Sequence, residues 1–146
     1  MDKIIFHLED NKEHLIIMRE IFARYFEKTD DYKSLENDDF PSYTGDLFYD
    51  GLYSPTNKVA LIQANNIKDA NTMLKDELVK GRPISELIDM CILDIRLPET
   101  KDEVDDDSKH NENGGTDFYD KNKNLIGSKT ISWVSLNPKG SLNTIK

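Results

Sequence analysis

Three acidic residues stand where apolar runs end. Glu9 and Asp10 follow "KIIFHL", and Asp94 closes "MCILD", with Pro98 four residues further on. A carboxylate at the end of a buried strand is costly unless the strand delivers it to a site. If the strands carrying these acids are neighbours in a parallel sheet, all three carboxylates converge at the edge where strand C-termini open. Ligands bind at that edge in such sheets. Three carboxylates this close repel one another and do not all stay ionised without a cation. A hard divalent ion, Mg²⁺ or its substitute Mn²⁺, resolves the repulsion by taking one or two carboxylates and keeping several waters. One carboxylate then remains as a nucleophile, a role in which carboxylates form aspartyl-phosphate.

Hydrophobic periodicity supplies the elements that must position these acids. Residues 3–8 read as a buried strand, within which His7 is expected to be a satisfied core histidine. Leu15, Met18, Phe22 and Tyr25 or Phe26 recur at helical spacing, with Ile17 and Ile21 widening the stripe, and place a helix at about 12–28. "KVALIQA", 58–64, is a second strand. A helix over 66–80 follows, with Ile67, Ala70, Leu74 and Leu78 on one face and Gly81 as its stop. "MCILDI", 90–95, is a third strand, "GGTDFYDKNKNLIG" begins a short helix, and "TISWVS", 130–135, is a fourth strand. Alternating strands and helices predict an α/β fold with a parallel sheet and crossover helices.

The 146 residues fit a single domain over 1–146 carrying two inserts, at about 29–57 and 99–113. The first holds Tyr32, Phe40, Tyr43, Phe48, Tyr49 and Tyr53; it is expected to be a loop lying over the domain's own core edge, with a short hairpin or a partner surface as the alternatives. The second, 99–113, has seven acids against two lysines and reads as a solvated, mobile loop.

Nineteen Lys and Arg against 28 Asp and Glu give a net charge of −9, which repels phosphate backbones and anionic lipid and so argues against nucleic-acid and membrane partners. The N-terminal segment has no apolar stretch suited to a secretory signal or a span, and a cytoplasmic protein is expected. Cys91 is the lone cysteine and reads as a buried small hydrophobe.

These motifs resemble the response-regulator receiver family. The likeness is carried by Glu9-Asp10 after "IIFHL", Asp94 closing "CILDI", Pro98, "GGTDF" opening a helix, and Ser135 ending "ISWVS". It implies a three-layer fold of flavodoxin-like topology. It also implies a two-component signalling role, in which Asp94 accepts a phosphoryl group with Mg²⁺ from a sensor histidine kinase or a phosphotransfer protein. By the same resemblance Asp10 binds the ion directly, Glu9 mostly through water, and Asp94 and the backbone carbonyl of Arg96 complete the protein ligands. Ser135 is the switch hydroxyl that reports phosphorylation, and output passes by protein–protein contact. Such a domain is at most a self-phosphorylating and autodephosphorylating acceptor, not a turnover enzyme.

The chain departs from the family at its C-terminal end. The expected fold lacks the last strand and helices, the family's lysine-proline pair is absent, and Lys139 in "NPKG" is the candidate substitute. Leu136 stands where the family generally has a small residue. An open sheet edge there would favour a homodimer. The alternative reading is a pseudo-receiver, the same fold used as a protein-binding module without phosphorylation. A haloacid-dehalogenase-type phosphatase would need a second aspartate two residues after the nucleophile, and position 96 is Arg.

Overall fold

The computed structural model describes residues 3–26, 33–34, 50–54, 57–79, 81–136 and 142–145. In chain order the elements are β1 (Lys3–Leu8), α1 (Lys12–Phe26), β2 (Lys33–Ser34), β3 (Asp50–Ser54), β4 (Val59–Ala64), α2 (Ile67–Lys75), β5 (Glu77–Val79) and β6 (Arg82–Pro83). They continue with α3 (Ile84–Leu87), β7 (Ile88–Asp94), α4 (Gly114–Lys121), α5 (Lys123–Ile126), β8 (Thr130–Leu136) and β9 (Leu142–Ile145). The fold is α/β, as the alternation predicts.

Seven strands form one sheet in the order β2-β3-β4-β1-β7-β8-β9. Its centre, β4-β1-β7-β8, is parallel, whereas β3 and β9 run antiparallel to their neighbours. A central parallel strand is covered on both faces, which is why β1 and β4 are apolar runs and not alternating ones. Ile4, Phe6 and Leu8 face a core built with Ile67, Ala70, Leu74, Ile84, Phe118 and Ile126, so α2 to α5 share that side. Ile5 turns the other way, into a smaller cluster of Met18, Phe22, Leu52, Val59 and Leu61 under α1. Helices thus cover both faces of the sheet.

Several expectations change in detail. The helix predicted over 66–80 stops at Lys75, because Asp76 takes up extended backbone and Glu77–Val79 pairs with Arg82–Pro83 as the β5-β6 hairpin. Gly81, with φ +80, serves the turn of that hairpin instead of capping a helix. Ile17 and Ile21 do not widen the buried stripe of α1; they are 50% and 53% exposed. The insert at 29–57 is described only at 33–34, 50–54 and 57, where β2 and β3 pair antiparallel and extend the sheet beyond β4. Most of its aromatics lie outside the described residues. The sheet does not end at β8: β9 pairs with it antiparallel, where a parallel fifth strand was expected to be missing. Among the described residues no helix is long and apolar enough to cross a membrane.

His7 is buried and accepts from Gln63 Nε2 at 3.1 Å, and burial above all pushes its pKa down to about 4. It is the satisfied core histidine that its place in β1 predicts. Cys91 is likewise buried, with its thiol pushed up to about 12, and is unreactive for that reason.

Candidate metal site

β1 lies beside β7, with Leu8 paired to Leu93, so the residues that follow β1 and the last residue of β7 meet at the same edge. Glu9, Asp10 and Asp94 each place a carboxylate oxygen within 4.8 Å of the others. Oxygens bound to one octahedral Mg²⁺ stand about 3.0 Å apart when adjacent and about 4.2 Å apart when opposite, by its bond length of about 2.1 Å. The cluster is near that spacing, and an all-oxygen donor set suits Mg²⁺ or Mn²⁺. The residues fit such an ion.

Each acid is individually held. The Asp94 carboxylate accepts from the Ile95 N–H at 2.8 Å, which orients it at the strand end. Glu9, only 4% exposed, accepts from the Asn11 N–H at 3.3 Å, and its other oxygen lies 3.0 Å from His14 Nδ1. Asp10 lies 3.2 Å from His110 Nδ1. Burial is the chief reason that the Asp94 carboxyl rises to about 9, with the hydrogen bonds and charges of Glu9 and Asp10 adding to it. Burial also lifts Glu9, to about 7, against the opposing hydrogen bonds of Asp94 and Asn11. Both shifts favour keeping protons on the cation-free site to higher pH than isolated carboxyls would.

The insert at 99–113 is largely solvated, as expected, and is organised by short turns and hydrogen bonds. Lys101–Glu103 and Asp107–Lys109 form 3-10 turns, and Leu97 bridges to Asn111. The Arg96 guanidinium donates to the Glu112 carboxylate at 2.8 Å and to the Asp107 carbonyl at 2.6 Å. Asn111 donates to Glu99 and Asp117 at 2.9 and 3.1 Å. His110, its side chain 3% exposed, has Nε2 3.1 and 3.0 Å from the carbonyls of Glu103 and Val104 while Nδ1 meets Asp10. A carbonyl only accepts, so Nε2 carries the proton. The insert is thereby pinned to the acidic site by a single buried side chain. His110→Ala should cost about 1–3 kcal/mol, the usual consequence of stranding buried acceptors. Limited trypsinolysis should show this as faster cleavage at Lys101 and Lys109 than in the wild type.

Of the residues singled out from the sequence, Glu9, Asp10 and Asp94 come together. Arg96 lies two residues past Asp94, and its side chain serves the insert. Ser135 follows Val134, the β8 residue paired with Asp94, but its side chain lies outside the described residues, as does Lys139. His14 and His110 were missed. His14 had a signal, since it falls in the first turn of a helix that starts beside Glu9. His110 had none, because its partner is a hundred residues away in the chain. Comparison with protein-family models, curated proteins and solved structures returned no match.

Proposed function

We propose that this chain is a receiver domain of two-component signalling, in which Asp94 accepts a phosphoryl group from a histidine kinase or phosphotransfer protein in the cytoplasm. The observation that carries the reading is the convergence of Glu9 and Asp10 from β1 with Asp94 from the adjacent β7. The parallel order β4-β1-β7-β8 supports it, being the order of the first four strands of a flavodoxin-like sheet. On this reading an oxygen of Asp94 forms a bond to phosphorus as the phosphorus–nitrogen bond of the donor phosphohistidine breaks, and the released imidazole takes up a proton. Asp94 must be ionised to attack, and its raised pKa keeps it protonated and quiet in the cation-free site. A Mg²⁺ ion, when bound, would neutralise the charge that gathers on the transferring group. Asp10 and Glu9 would hold the ion, Asn11 and His14 would orient Glu9, and His110 would orient Asp10.

The test uses acetyl phosphate with Mg²⁺. Intact-mass spectra should show a single phosphoadduct that is lost with Asp94→Asn and with chelation. No adduct from a protein whose stability nevertheless responds to Mg²⁺ would favour the pseudo-receiver. The seating of the insert on Asp10 gives that alternative its specific support, since it offers a shaped surface directly over the acids.

A further inference from the structure

The face of α1 that looks away from the sheet is unusual for its exposed apolar content. Among the described residues every large hydrophobic side chain recorded as exposed belongs to this helix, and Ile17 and Ile21 are both about half exposed. Beside them runs a wholly apolar groove of about 240 Å³, bounded by Met18 and Ile21 of α1 and by Ile5, Met90 and Ile92 of the sheet. α1 packs most closely on β3 and β4 and touches β1 through Ile5, so the helix leans to the β3-β4 side and the groove lies beside it over β1 and β7.

Charge on the same face indicates what covers it. Glu13, Ile17, Ile21 and Arg24 are spaced by four, four and three residues, and so form one exposed stripe along the helix. Glu13 is the acid of the first turn and Arg24 the base of the last. Turned antiparallel against a copy of itself about a point near Arg19, the stripe sets Ile17 against the partner's Ile21. Glu13 then falls beside the partner's Arg24, within one residue of the same centre. The two-fold axis repeats both contacts, and the helix macrodipoles oppose favourably. A parallel arrangement would set Glu13 against Glu13 and Arg24 against Arg24, so the charges also select the orientation.

We propose that the chain forms a homodimer through antiparallel α1–α1 packing, with the isoleucines of each copy reaching the groove of the other. This is independent of the acidic site. Sedimentation equilibrium of the full chain should give a dimer that dissociates at roughly micromolar concentration, the weak end for interfaces of ordinary size. Ile17→Lys and Ile21→Lys replace half-exposed residues, so at concentrations well below the dissociation constant their unfolding temperature should match the wild type, while at higher concentration the dimer is lost. Glu13→Arg and Arg24→Glu should each weaken the dimer about tenfold, the scale of two symmetric charge contacts turned repulsive, and the double variant should recover most of that loss. A wild type that stays monomeric throughout the micromolar range overturns the proposal and leaves the face to a different chain. A dimer indifferent to Ile17→Lys, or a double variant no better than the single reversals, overturns it equally.

Discussion

The cation-free protein is expected to unfold at progressively lower temperature as pH rises from about 4 to about 9, and Mg²⁺ is expected to remove most of that slope. Both Glu9 and Asp94 have folded-state pKa values above their ordinary ones, at about 7 and about 9. Below the ordinary carboxylate range both folded and unfolded chains hold these protons, and the stability associated with them is fully present. As pH rises, the unfolded chain releases its protons first, while the folded site keeps them until it is forced to bury charge. Stability therefore falls, at up to about 1.4 kcal/mol per pH unit for each proton retained, until the folded pKa values are passed, with His7, pushed down to about 4, offsetting one of these protons below its ordinary pKa of 6.5. A divalent ion replaces the protons as the neutralising charge, so its effect should be largest near pH 8–9 and vanish near pH 4. The measurement is thermal unfolding in EDTA and in Mg²⁺ across that range. Asp94→Asn should raise the unfolding temperature of the cation-free protein at high pH and flatten its pH dependence, because the most perturbed acid is gone. If EDTA and Mg²⁺ curves coincide at pH 8–9, the three acids do not hold the ion.

The same two residues show what the sequence made legible. A strand buried on both faces leaves a continuous apolar run, so β1, β4 and β7, and the acids that end β1 and β7, could be located from the sequence alone. Crossover helices with buried Phe22 or Leu74 could also be found, since burial on one face imposes a helical period. What escaped was set by contacts between distant parts of the chain. Nothing local in "ETKDEVDDDSKHNEN" reveals that Arg96 and His110 will fold it down, because each bond joins residues far apart. The exposure of Ile17 and Ile21 was hidden for a related reason: a pattern shows which residues are apolar, not how far a helix leans across its sheet. Two misses had local signals: the early end of α2, in the turn chemistry of Gly81 and Pro83, and His14, five residues from Glu9 in the first turn of α1.

Gly115→Ala is expected to destabilise the protein by about 1–3 kcal/mol, toward the upper end of what an overpacked methyl costs, although alanine is the better helix former. A Cβ built on Gly115 would run into the carbonyl oxygen of Asp94 and crowd the Ile95 Cα at 3.1 Å, both of them backbone. Neither can swing aside as a flexible side chain would. The Gly115 N–H donates to the Ile95 carbonyl at 2.8 Å, so α4 begins in direct contact with the end of β7. Relief of the clash must lift the helix. Phe118, one turn on, stacks on Phe6 with ring centroids 6.2 Å apart, so lifting α4 also opens the core above β1. Gly114 is less crowded, since its Cβ would meet the movable Ile67 side-chain tip at 2.9 Å and the Leu97 Cβ and backbone nitrogen only at 3.0 and 3.2 Å. Gly114→Ala should therefore cost less than its neighbour. Helix propensity alone predicts the opposite sign for both, a gain of about 1 kcal/mol, so urea unfolding of the two variants separates the explanations. The Gly115 variant should also bind Mn²⁺ more weakly, because the backbone that it displaces is the one that aims Asp94 at Glu9 and Asp10. A Gly115→Ala protein as stable as the wild type would mean that α4 is not seated on the strand end, and the acids would lose the support that holds them together.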